Sequence, residues 1–192
     1  MMNFLSQTKK FFEHLNRNVF FLSLAQIFSM TSMNINIITT GLAGFIIAPY
    51  GWLSTFPLSL QFIITMLFTF PCSILMSKYG RKIVFVGGVL SVSTGGLIMT
   101  IALFQKNFYL FCFGSVLLGL GHATNLFYRY AATETVPKNV KPKAMSLVLS
   151  AGLIAALLGP RIYQISADAI LPHLYAGSYL MIAITQLIAL PF

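Results

Sequence analysis

The sequence predicts an all-α membrane protein of six transmembrane helices, and three observations predict it. Charged residues make up 8% of the 192-residue chain and hydrophobic residues 57%, where a soluble domain carries about 25% charged residues. The few charges cut the chain into apolar intervals long enough to cross a bilayer, each crossing needing about 20 apolar residues. The cations also cluster at alternate ends of those intervals, as the orientation rule for membrane helices requires.

Residues 18–77 carry no charge, room for two spans and a turn. The turn is APYGWLSTFP at 48–57, with Pro49, Gly51 and Pro57 as breakers. Residues 83–105, 107–128, 144–160 and 174–192 are charge-free in the same way. The expected spans are about 20–41, 53–76, 83–104, 108–130, 143–165 and 174–192, a six-helix bundle over 20–192. With both termini in the cytoplasm, the inner segments hold Lys9, Lys10, Arg17, Lys78, Arg81, Lys82, Arg129, Lys138, Lys141 and Lys143, and the outer ones Lys106 and Arg161. That asymmetry absorbs most of the +9 net charge, so the basic balance implies no nucleic-acid partner. The expected location is a multi-pass protein of the plasma membrane, the inner membrane in a bacterium.

Residues 1–19 are cytoplasmic, and FLSQTKKFFEHLNRNVFF interleaves Phe and Leu with Lys, Arg and Glu13. Such a pattern lies as an amphipathic helix on the membrane surface or frays as a tail. The apolar run that follows exceeds a signal-peptide core, so the first span is expected to stay in the membrane. Cys72 and Cys112 fall inside apolar stretches and read as packing residues. No metal, cofactor or enzyme is expected: the chain has no zinc spacing, no Gly-x-Ser-x-Gly, no phosphate-binding Gly loop, and three acids in all.

SILMSKYGRK joins spans two and three. Gly80 permits the tight reversal, and Lys78, Arg81 and Lys82 hold it at an anionic leaflet. The stretch resembles the signature loop of the major facilitator superfamily, Gly-x-x-x-Asp-Arg/Lys-x-Gly-Arg-Arg/Lys. Lys78, Gly80, Arg81 and Lys82 match; Ser73 and Ser77 replace the Gly and the Asp. AGLIAALLGPRIY in span five resembles the family's antiporter motif through Gly152, Gly159 and Pro160, although its trailing Gly-Gly is absent. Ala151, Ala155 and Gly159, and beside them Gly152 and Ala156, are also small-residue stripes that pack helices closely. Span four has Ser115 where the family often carries an Arg before a Gly-x-Gly pair.

Polar residues inside spans are functional candidates. At helical spacing Gln26, Ser29, Met33, Asn36 and Thr40 share one face of span one, and Ser115, Leu118, His122, Asn125 and Arg129 one face of span four. The resemblance implies that both faces line a central cavity. His122 suits a proton carrier or a histidine hydrogen-bonded within the bundle. Arg129 snorkels to the interface or attracts an anion.

The resemblance implies the N-terminal half of a twelve-helix transporter, built of two inverted three-helix repeats. No such repeat is visible in the sequence. The ending LIALPF has no polar tail, which fits a half of a longer or split permease. The expected function is a secondary transporter moving a small solute by alternating access, with protons as a candidate coupling ion. Its expected partners are the lipid bilayer and either a C-terminal six-helix half or a second copy. The alternative is a non-transporting six-helix scaffold or subunit.

Overall fold

The computed structural model describes residues 17–191. The surface segment expected at 1–19 therefore lies, through residue 16, outside the described residues. Seven α-helices and no strand occur among the described residues. In chain order they are α1 (Arg17–Ile47), α2 (Phe56–Tyr79), α3 (Arg81–Gln105), α4 (Phe108–His122), α5 (Tyr128–Glu134), α6 (Lys141–Ser166) and α7 (Ala176–Ala189). Short 3-10 turns lie at Gly51–Leu53 and Asn125–Phe127. The second turn joins α4 to α5, so the chain forms six rods and the fourth is interrupted.

Local chemistry sets the ends. Gly80, at φ 87°, both closes α2 and opens α3, a backbone state that only glycine adopts without strain. The Asn107 side chain accepts a hydrogen bond from the Leu110 N–H at 3.1 Å and caps α4. Pro57 and Pro142 stand in the first turns of α2 and α6, where their missing N–H is not needed.

Five segments are long and apolar enough to cross a bilayer: Arg17–Ile47, Gly51–Tyr79, Arg81–Gln105, Phe108–Glu134 and Lys141–Ser166. The sixth rod is shorter than its charge-free interval. α7 has 14 residues, about 21 Å at 1.5 Å per residue, against a hydrocarbon core of about 30 Å. Its start is displaced because Tyr175 takes a left-handed conformation, φ 67°, with its N–H on the Ala167 carbonyl at 2.8 Å.

The rods pair in a pattern that survives exchange of the first three for the last three. α1 packs against α6 and α7, while α4 packs against α2 and α3; α3 and α7 meet at the centre. The packing thus carries a two-fold relation that the residue pattern conceals. α2 and α6 are the least covered rods, and Phe70 and Leu157 are 74% and 76% exposed. Apolar faces of that kind belong against lipid or protein.

The core has two apolar clusters. One gathers Val19, Ala25, Tyr128, Ala132, Val140 and Val148. At that end Asn18, Arg81, Glu134 and Leu190 border a common cleft of about 490 Å³. The other gathers Ile47, Leu103, Phe108, Phe111 and Tyr179 toward the opposite end. Buried polar side chains of α1, α2, α4 and α7 lie between them.

Close approach distinguishes the two small-residue stripes of α6. Ala151, Ala155 and Gly159 are buried, and a Cβ on Gly159 would sit 2.6 Å from Asn34 Cβ on α1. Gly152 faces open space, and Pro160 is exposed. Replacing Gly159 by Val should therefore destabilise the bundle by about 1–3 kcal/mol through overpacking, whereas Gly152→Val should leave the melting temperature in detergent unchanged. Equal melting temperatures would contradict this packing.

Candidate functional site

α1 delivers a polar residue at nearly every turn, and the bundle buries them. Gln26, Ser29, Asn36 and Thr40 are all at most 5% exposed. In hydrocarbon, uncompensated polar groups are expensive. Ser29, Asn36 and Thr40 find partners on other rods in two relays, while Gln26 Oε1 has none.

The first relay crosses four rods. The Thr40 hydroxyl lies 2.9 Å from the Tyr179 hydroxyl of α7 and donates to Asn36 Oδ1 at 2.8 Å. Asn36 Nδ2 donates to Gln61 Oε1 of α2 at 2.5 Å. Gln61 Nε2 then lies 3.1 Å from His122 Nδ1 at the end of α4. Because Gln61 uses its oxygen toward Asn36, its amide N–H is what faces the ring, and Nδ1 accepts.

The second relay starts on Ser32, whose single hydroxyl proton is shared between the Ser29 carbonyl at 2.8 Å and Gln186 Oε1 of α7 at 3.0 Å. Gln186 Nε2 donates to the Ser29 hydroxyl at 3.3 Å, and Ser29 donates to Asn125 Oδ1 at 2.5 Å. Tyr128 also reaches Ser29.

Both relays end at the interruption of the fourth rod. There the Thr124 N–H bonds the Gly121 carbonyl at 3.0 Å, three residues back, and Phe127 bonds Thr124 in the same way. Tightening of that kind inside a helix marks a hinge or a site of strain. Gly88 of α3 leaves room for it, since a Cβ there would meet Thr124 side-chain atoms at 2.6 Å. Among the described residues, four buried side-chain atoms have no hydrogen-bond partner: Gln26 Oε1, His122 Nε2, Asn125 Nδ2 and Arg81 Nη1. The first three belong to this region.

The stripes expected to face a central cavity are buried between α1, α2, α4 and α7. Met33 is half-buried, while Ser115 and Leu118 lie with His122 and Asn125 in the interior. Arg129 stands apart. Its Nε donates to the Leu126 carbonyl at 3.3 Å, and its guanidinium lies 5.3 Å from the Tyr130 ring centre. The Ala25 and Tyr128 side chains, neighbours of the relays, form part of the wall of the 490 Å³ cleft. At its mouth Arg81 pairs with Glu134. Of the remaining signature-loop residues, the Ser77 hydroxyl bonds the Ile74 carbonyl at 2.8 Å and Lys78 lies over the Tyr79 ring. Among the described residues no three His, Cys, Asp or Glu side chains are grouped to hold a metal.

Gln61, Gln186, Ser32 and Tyr179 are essential to the relays and absent from the sequence-derived candidates. The signal was present for the two amides, each the single amide side chain of its apolar span.

Long apolar rods enclosing a neutral polar layer define an integral, multi-pass membrane protein. The chain matches the Major Facilitator Superfamily over residues 11–192 and belongs to that family of transporters. It is 33% identical over 175 residues to the riboflavin transporter RfnT of Brucella anthropi, an alignment covering 91% of this chain and 44% of that protein. The chain thus spans less than half the length of that curated relative. No solved structure matches it.

Gln61 partners both Asn36 and His122, so its removal orphans two buried groups. Gln61→Leu should destabilise the fold by about 1–3 kcal/mol. Thr69→Val, which loses one bond within its own helix, should cost far less. Denaturant titration in detergent distinguishes them; equal effects would contradict the relay.

Proposed function

We propose that this chain forms six rods of a secondary transporter that carries a small, uncharged, hydrogen-bonding solute by alternating access. The observation that carries this reading is the layer of Ser29, Asn36, Gln61, His122, Asn125 and Gln186, buried at mid-bundle. It offers donors and acceptors but no fixed charge. Riboflavin, named for the Brucella relative, is a neutral solute of this kind and the first candidate. Gln26, Ser29, Asn36, Thr40, His122 and Asn125 form the solute-facing set, with Arg129 beyond it toward the mouth.

The partner surface follows from exposure. The uncovered apolar faces of α2 and α6 are placed to meet a further six-helix unit, joined to this one or contributed by a second copy. The 44% coverage of the relative supports that arrangement, and Gly152 on the open face of α6 gives a partner helix close access. The end bearing Lys78, Gly80, Arg81, Lys82, Lys138, Lys141 and Lys143 is the cytoplasmic one, with both termini there. A scaffold role has no need of buried polar atoms without partners, and the transport reading explains them.

Uptake of riboflavin, followed by its own fluorescence in cells that make none, tests the proposal. Cells expressing the protein should accumulate the vitamin faster than controls, and Asn125→Leu should lower the rate at least tenfold with membrane levels unchanged. Uptake at the control rate across riboflavin and other neutral solutes would contradict it.

A further inference from the structure

Both relays run in one direction. Thr40 spends its proton on Asn36, so the Tyr179 hydroxyl donates to Thr40. Asn36 then donates to Gln61, and Gln61 to Nδ1 of His122. A neutral imidazole whose Nδ1 accepts carries its proton on Nε2. The second relay runs from Gln186 Nε2 through the Ser29 hydroxyl to Asn125 Oδ1, which leaves the Asn125 amide N–H₂ unspent. Each relay therefore terminates in an N–H donor, and both terminal atoms, His122 Nε2 and Asn125 Nδ2, are buried without a partner. They lie three residues apart across the interruption between α4 and α5. His122 is 2% and Asn125 3% exposed, so both lie out of reach of bulk solvent, where an unpaired donor is costly.

We propose that the interruption of the fourth rod is a solute-binding site selective for a neutral carbonyl-bearing compound, whose oxygens take the His122 Nε2–H and the Asn125 Nδ2–H. The inference rests on the transport reading and adds to it the hydrogen-bond polarity of the solute. Gln26 Oε1, the third unpartnered atom in this region, accepts an N–H or O–H of the same class of compound. The groups offered at the site are themselves uncharged; Arg129, the nearest cation along the rod, turns to the Leu126 carbonyl and the Tyr130 ring. The 490 Å³ cleft, with Ala25 and Tyr128 in its wall, is the nearest opening along the chain; Gln26, His122 and Asn125 themselves lie behind that wall. Gln61 is a positioning residue: it fixes the ring proton of His122 without itself reaching the solute.

Two measurements on the protein in lipid nanodiscs test this. The first is ¹⁵N NMR of the histidine ring nitrogens, with His122 assigned by its loss in His122→Phe. The proton is expected on Nε2, and in Gln61→Leu the tautomers should mix; a wild-type proton on Nδ1 overturns the proposal. The second is binding of riboflavin, uridine and cytidine, the last two differing by a carbonyl for an amine. Uridine should bind more tightly than cytidine, and Asn125→Leu and His122→Phe should each weaken the carbonyl-bearing probes roughly tenfold, the value of one lost neutral hydrogen bond. Absence of binding by every probe, no preference for the carbonyl, or undiminished binding by both variants overturns it. Failure of riboflavin alone, with uridine bound as described, removes the flavin assignment of the preceding section and leaves the carbonyl selectivity standing.

Discussion

Polar side chains buried away from bulk solvent must find hydrogen-bond partners, and that constraint shapes this bundle. Asn36 meets Gln61, Gln61 meets His122, and Ser29 meets both Gln186 and Asn125. Each bond joins different rods, so the relays decide which faces of α1, α2, α4 and α7 turn inward. Lipid gives little hydrophobic drive to helix association. Polar bonds and close glycine contacts must then supply much of the specificity. The contacts are visible where Gly95 and Gly114 oppose each other's carbonyls across α3 and α4.

The same constraint gives the exceptions their meaning. A bundle selected for stability alone would pair or remove Gln26 Oε1, His122 Nε2 and Asn125 Nδ2. His122 and Asn125 flank the interruption of the fourth rod, which couples an energetic deficit to a place where the backbone already departs from the α-helical pattern. On the proposed transport reading, a solute that satisfied the deficit would favour the conformation that holds it, a differential affinity of the kind that shifts a two-state equilibrium.

Much of the fold is legible in the sequence because lipid is an unforgiving solvent. Charge-free intervals mark apolar helices, Gly80 marks a reversal between two of them, and the polar stripe of α1 is conspicuous at Gln26, Ser29, Asn36 and Thr40. What stays hidden depends on neighbours. Gln61 and Gln186 are single amides without periodicity, so nothing along the chain couples them to Asn36 or Ser29. The interruption falls in GHATNLF, which contains no proline; it arises where Thr124 packs against Gly88 of another rod. The buried stripe of α6 and the open one differ only by which faces Asn34. α7 begins late because of the backbone of Tyr175, in an interval that hydropathy reads as continuous. The pairing of the first three rods mirrors that of the last three, although no repeat is visible along the sequence.

The central claim is that neutral side chains from the first and fourth rods meet inside the membrane. It is tested most directly by cysteine cross-linking in native membranes, on a background in which Cys72 and Cys112 are replaced. Ser29→Cys combined with Asn125→Cys should be bridged rapidly by a short thiol-specific reagent, while Phe45→Cys combined with Asn125→Cys should not. Absence of the first cross-link with the protein folded and inserted, or equal yields from the two pairs, would contradict the account.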